Sequence, residues 1–110
     1  MDIPVVKLHL ATLVSPWLGG RYRKQGDFSG EEFRDAILLR ALAFAVGDVE
    51  VDLDGIEGPS PGFLDEALGA GLVETVGAEQ AARVVVVGVK NAHLVKMIME
   101  YRAETIAGER

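Results

Sequence analysis

The sequence predicts a small α/β protein, in which a mixed sheet with parallel strand–helix–strand units carries about three main helices. Segments typical of strands and of helices alternate along the 110 residues. Residues 83–90 form a β-branched run without alternation, which is typical of a central strand covered on both faces. Such alternation favours parallel strand pairs joined by right-handed crossovers. The length suits one domain over residues 1–110.

The N-terminal third predicts one strand and one long loop. In residues 5–10, Val6, Leu8 and Leu10 alternate with polar residues, as in a half-buried strand of an N-terminal region spanning residues 1–17. Residues 18–28 are irregular and basic, and we call them the basic loop. Long loops in small domains are often functional, so this segment is a candidate site element.

A capping box predicts the first main helix. Ser29 is the expected N-cap and Glu32 stands at the third helical position. Apolar residues at helical spacing then predict a buried stripe, with Arg34 and Arg40 on the opposite side and Gly47 ending the helix. The predicted stripe consists of Phe33, Ile37, Ala41 and Phe44, joined by Leu38 and Ala45.

Two further strands and two further helices complete the predicted order. Residues 49–53 alternate as a strand, and at a sheet edge they would provide the pairing surface of a homodimer. Ser60 is expected to cap the next helix with its hydroxyl, followed by Pro61 at the first helical position. The predicted inner face of this helix is Phe63, Leu64, Ala67, Leu68, Gly71 and Leu72. Residues 79–82 are expected to form a connector. Asn91 is expected to cap the last helix, which buries Leu94, Ile98 and Tyr101.

Composition excludes several classes of function. The chain has no cysteine, and its net charge of −6 disfavours nucleic-acid binding, which needs clustered cations. No segment is apolar enough over a sufficient length to span a membrane, and no secretory signal pattern is present, so we expect a cytoplasmic protein. His9 and His93 stand apart from any nucleophile. We therefore expect no enzyme activity, no metal site and no cofactor.

The candidate site lies where the second main helix begins. A helix N-terminus carries partial positive charge and free N–H groups, and glycine there allows a partner or an anion to approach the backbone. Cations of the basic loop would join this surface if the loop folds back. The candidate partner- or anion-binding residues are Ser60, Gly62, Phe63, Asp65, Arg21 and Arg23. The same geometry suits either a protein-interaction surface or an anion sensor for nucleotides and phosphate-bearing metabolites.

Several motifs resemble STAS-like domains, and in particular a bacterial STAS-like branch of unknown function related to anti-sigma-factor antagonists. The resemblance is carried by residues 51–57 (Val-Asp-Leu-Asp-Gly-Ile-Glu), Ser60 and residues 63–67 (Phe-Leu-Asp-Glu-Ala). The segments at residues 20–23 and 29–34 also look like this branch. The resemblance covers roughly residues 18–100 and implies a small STAS-like sandwich.

The resemblance also implies a regulatory function without catalysis. In the antagonist family a serine before the second helix is phosphorylated by a partner kinase that doubles as an anti-sigma factor. The corresponding position is Pro61 here, so the neighbouring hydroxyl of Ser60 is the candidate for phosphorylation. Similar domains often stand beside histidine-kinase-type ATPase domains, which the resemblance implies as the partner class.

Overall fold

The computed structural model describes residues 5–58 and 60–109; the first four residues of the N-terminal region and Pro59 of the predicted turn lie outside this range. The strands are β1 (Val6–His9), β2 (Val49–Asp52) and β3 (Val84–Val87). The helices are α1 (Leu10–Leu13), α2 (Gly30–Phe33), α3 (Leu39–Phe44), α4 (Pro61–Leu68), α5 (Ala70–Val76), α6 (Ala78–Ala81) and α7 (Ala92–Ile106). A 3₁₀ turn spans Arg23–Gln25, and a π-helical segment, Arg34–Leu38, joins α2 to α3.

The three described strands form one parallel sheet in the order β1-β2-β3. Val49 pairs with Val6 on one side and with Val84 on the other. This order corrects two expectations: β2 is the central strand of the described sheet, whereas the valine-rich β3 lies at its edge. The α/β class with parallel units and about three main helices is confirmed, whereas the expected mixed sheet is wrong for the described strands, because both strand pairs are parallel.

The hydrophobic core lies against one face of the sheet. Val49, Val51, Val84 and Val86 are buried on that face, together with apolar residues of α4 and α7. The opposite face carries alternating residues that are half-buried or exposed, among them Val85 at 40% exposure. The expectation that β3 is covered on both faces is therefore wrong, because β3 shows the alternation of a strand with one buried side.

The predicted inner face of the second main helix is correct at all six positions, although Gly69 divides the helix into α4 and α5. In the first main helix, Phe44 is 88% exposed and Arg34 is only 8% exposed, which reverses their predicted sides. The helix also ends at Phe44, before Gly47. Between α2 and α3, the π-helical segment changes the helical spacing of the residues that follow it.

Near both ends of the chain, the structure differs from the predicted elements in four details. Leu10 starts a short helix after β1 and is fully buried. Residues 79–81, part of the expected connector at residues 79–82, belong instead to α6. Asn91 precedes α7 without a side-chain capping bond; its amide instead donates to the carbonyl of Leu53 at 3.1 Å. Within α7, Arg102 is buried, whereas Tyr101 is only half-buried.

Candidate functional site

The basic loop folds back onto the helices because its carbonyls receive the first N–H groups of α2. Gly30 N–H donates to the carbonyl of Gly20 at 2.9 Å, and Glu31 N–H donates to that of Arg21 at 3.0 Å. Gly19 N–H donates to the carbonyl of Phe28, which closes the loop at its base. A Cβ on Gly19 would collide with the backbone carbonyl oxygens of Asp27 and Phe28 at the end of the loop, so only glycine fits. The loop thus satisfies helix donors that would otherwise need water.

Arg21 joins the basic loop to the start of α4. Its Nη1 donates to Oδ2 of Asp65 at 2.9 Å, and the Asp65 side chain is almost completely buried. A Cβ placed on Gly62 would lie 3.6 Å from Cβ of Arg21, so the loop packs against the first turn of the helix at van der Waals distance. The other oxygen of Asp65 accepts the N–H of Ala70 at 3.1 Å. Asp65 therefore holds both the loop and the beginning of α5.

A second ion pair, between Arg34 and Glu66, lies beside the first. Nη1 of Arg34 donates to Oε2 of Glu66 and, at 3.1 Å, to the Glu66 carbonyl. Nε of Arg34 donates to Asp35 at 3.0 Å. Burial would lower the pKa of Arg34, but the hydrogen bonds to Glu66 and Asp35 outweigh it, and the pKa is raised above its ordinary value. Arg34 is therefore charged at neutral pH, and it fixes α2 to α4.

The start of α4 itself differs from the expected cap. Ser60 has a left-handed backbone (φ 37°, ψ 54°), and its hydroxyl accepts no hydrogen bond from the helix. Only its carbonyl takes part, accepting the N–H of Leu64 at 3.1 Å. The prediction of a serine hydroxyl cap is wrong, whereas Pro61 does occupy the first turn. Ser60 and Gly62 are half-buried and Pro61 is exposed, so this end of the helix is accessible.

Phe63 and Asp65 lie beneath this surface. Phe63 is fully buried and packs against Phe33, with ring centroids 6.1 Å apart. Asp65 is 2% exposed. Because both side chains are buried, the expectation that they contact a partner is wrong. They instead support the helix and the basic loop from inside the protein. Of the candidate residues, Ser60, Gly62, Arg21 and Arg23 reach the surface.

The exposed part of the basic loop carries cations and one aromatic ring. Tyr22, Arg23 and Lys24 are exposed, and Nζ of Lys24 lies 5.6 Å from the centre of the Tyr22 ring. Arg23 donates its backbone N–H to Glu31 at 2.9 Å, while its guanidinium is about half exposed. We call the set Tyr22, Arg23, Lys24, Ser60, Pro61 and Gly62 the docking surface.

Hydrogen bonds from other segments of the chain hold Asp54, in the turn between β2 and α4. Oδ1 of Asp54 accepts the N–H of Lys90 at 3.0 Å, and Oδ2 accepts that of Val89 at 3.2 Å. His9 donates from Nε2 to the carbonyl of Asp54 at 2.7 Å, because a carbonyl oxygen only accepts. Its Nδ1 forms a hydrogen bond with the hydroxyl of Thr12 at 2.7 Å. His9 is thus a structural residue of the turn, as a lone histidine often is.

Two features of this arrangement have no signal in the sequence pattern. Arg34 lies 32 positions from its partner Glu66, and no local periodicity connects them. The salt bridge from Arg21 to Asp65 spans 44 positions. Both depend on how α2, α4 and the loop pack together. Within residues 5–58 and 60–109, no three histidine, aspartate or glutamate side chains cluster as a metal site.

The fold and this surface define an α/β domain in which a basic loop packs against the first turn of the helix after the central strand. Residues 29–93 match the family model described as a STAS-like domain of unknown function. Because the match covers more than half of the chain, the chain belongs to this family. No curated protein and no solved structure shows significant similarity. In the described part of the chain, no helix combines the length and apolarity needed to cross a membrane.

Proposed function

We propose that the chain is a regulatory interaction module without catalytic activity, and that it binds a cytoplasmic histidine-kinase-type ATPase through the docking surface. The observation that supports this best is the contact of Arg21 with Gly62 and Asp65, because it unites the basic loop and the start of α4 in one surface. Membership of the STAS-like family agrees with a role in recognition.

The charge of the docking surface favours an acidic partner. The chain has a net charge of −6, yet Arg23 and Lys24 are exposed on the loop. Exposed cations on an acidic protein steer the approach of an oppositely charged surface and discourage other partners. Tyr22 adds an aromatic ring of the kind that is enriched at the centre of interfaces.

The ion pairs inside the protein make the docking surface rigid before a partner binds. Arg21 and Arg34 are each held by carboxylates of α4, so the loop and two helices keep one arrangement before a partner arrives. A preorganised surface loses less conformational entropy on binding. Recognition then depends on shape and charge at the exposed residues, and the buried residues preserve that shape.

Binding is tested with purified histidine-kinase-type ATPase domains encoded in the same genome. We expect at least one domain to bind the wild-type chain in biolayer interferometry. The double variant Arg23→Glu/Lys24→Glu should bind it at least about tenfold more weakly, because repulsion replaces steering. Pro61→Trp should also weaken binding by blocking the exposed first turn of α4.

The matched control is the double variant Lys90→Glu/Lys96→Glu, which changes the same charge at two exposed positions outside the docking surface. It should bind like the wild type. Absence of binding by every ATPase domain would contradict the partner class. Equal weakening by both double variants would contradict the surface, because a general charge effect would then explain the result.

A further inference from the structure

A groove between α6 and α7 has a buried cation in its wall. It has a volume of about 190 Å³. On one side it is lined by Ala78 and Ala81 of α6 and by Ala82, which follows this helix, and on the other by Met99, Arg102, Ala103 and Ile106 of α7. These positions follow helical spacing on both helices, so two small or apolar faces meet there. Met99 and Ile106 are about half exposed, which leaves the groove accessible from outside.

Arg102 is only partly satisfied by the fold. It is 5% exposed, Nε donates to the carbonyl of Leu68 at 2.6 Å, and Nη1 donates to that of Val84 at 2.9 Å. These two bonds tie the end of α4 to the start of β3. Nη2 is buried and has no hydrogen-bond partner among the described residues.

The unused nitrogen sets Arg102 apart from the other buried arginine. Arg34 has carboxylate partners, and its pKa is raised. Among the described residues Arg102 has only carbonyl partners, and burial lowers its pKa to about 10, which still leaves it charged at neutral pH. A buried charge without a counterion is costly, and its N–H groups form their strongest hydrogen bonds with a carboxylate.

We propose that this groove binds a small aliphatic monocarboxylate, whose carboxylate pairs with Nη2 of Arg102 and whose chain lies along the alanine-lined walls. The anionic head follows from the unpartnered guanidinium nitrogen, and the apolar tail follows from the lining residues. The volume is smaller than that of typical pockets for drug-sized ligands, which favours a short chain over a nucleotide. Because Nη2 is itself buried, binding requires a side chain of the groove to move, and we assign this movement to Met99, an unbranched side chain with three rotatable bonds.

The probe is sodium hexanoate, added to the full chain at constant ionic strength. Hexan-1-ol and hexylammonium chloride serve as neutral and cationic controls with the same tail, and acetate serves as a control without the tail. We expect hexanoate to shift the NMR signal of the Arg102 Nε–H group and to raise the melting temperature. Hexanol, hexylammonium and acetate should each bind at least about tenfold more weakly.

A variant that leaves Arg102 in place tests the groove without unfolding the protein. Ala82→Leu fills the groove from an exposed position and should weaken hexanoate binding at least about tenfold, whereas Ala43→Leu, an exposed alanine of α3, should not. The proposal is overturned if hexanoate leaves the Arg102 signal unchanged, if hexanol shifts it equally, or if Ala82→Leu binds hexanoate like the wild type.

Discussion

Ser29 and Ser60 each precede a helix, but their backbones give their hydroxyls different roles. Ser29 has an extended backbone (φ −75°, ψ 158°), and its Oγ accepts the N–H of Glu32 at 3.1 Å. This geometry is the one that capping serines adopt. Ser60 is left-handed instead, next to a proline that disfavours a right-handed helical residue before it. Its hydroxyl is therefore not used by α4 and is available to a partner.

Alanine substitution of the two serines separates these roles. We expect Ser29→Ala to lower the free energy of unfolding by about 1 kcal/mol, because a buried cap is lost. Ser60→Ala should change it by less than about 0.5 kcal/mol, since no capping bond exists. Ser60→Gly should stabilise the protein by about 1 kcal/mol, because glycine adopts positive φ without strain. Urea denaturation measures all three, and equal losses for both alanine variants would contradict this difference.

The serine pair shows what could be predicted from single residues. The pattern of Ser29 and Glu32 is local, so it correctly indicated where a helix begins. Ser60 and Pro61 gave the same kind of signal and correctly marked the start of α4. The predicted capping role of the Ser60 hydroxyl is wrong, because Ser60, before Pro61, has a left-handed backbone instead of the extended backbone of a capping serine.

At the scale of elements, the π-helical segment Arg34–Leu38 explains the reversed faces of the first main helix. A π-helical turn uses i→i+5 bonds and inserts one residue relative to α-helical spacing. The buried apolar residues are accordingly Phe33, Leu38 and Leu42, with a first step of five. The predicted stripe assumed regular spacing and so placed Phe44 inside. Arg34, the first residue of the π-helical segment, forms its ion pair with Glu66 of α4.

The contact between α2 and α4 depends on the absence of a side chain at Gly30. A Cβ there would collide with the carbonyl oxygen of Phe63, since the two helices approach closely at this point. Phe33 of α2 also packs against Phe63 of α4. At Gly62, by contrast, an added Cβ would meet Arg21 at an ordinary contact distance of 3.6 Å.

Alanine at these two glycines should have opposite effects. Gly30→Ala should lower the free energy of unfolding by about 2 kcal/mol, because α2 and α4 must separate. Gly62→Ala should leave it unchanged or raise it by up to about 1 kcal/mol, because alanine favours the helix and finds space. Thermal and urea unfolding measure both. A loss at Gly62 as large as that at Gly30 would contradict the geometry of the docking surface.

At the scale of the whole molecule, the described residues form a sheet with helices packed on one face. The alternation of β2 was read correctly from its polar residues, Glu50 and Asp52. For β3 the sequence offers only valines, so hydrophobicity could not distinguish the buried face from the exposed one. The order of the strands also cannot be predicted from local sequence patterns. It depends on which strand pairs with a neighbour on each side, and that strand is β2 here. The α/β class could be predicted, but the sidedness of the sheet and its central strand could not.

The two faces of β3 should therefore respond differently to the same substitution. Val84 is 1% exposed and pairs with Val49, whereas Val85 points to the open face and pairs with Glu50. Val84→Ala should lower the free energy of unfolding by about 2 kcal/mol, since it leaves a cavity in the core. Val85→Ala should cost less than about 1 kcal/mol, the range of strand propensity alone. Urea denaturation with unchanged m-values checks both variants. Similar large losses would mean that β3 is covered on both faces after all, and that another layer of the molecule, or a second copy, packs on the open side.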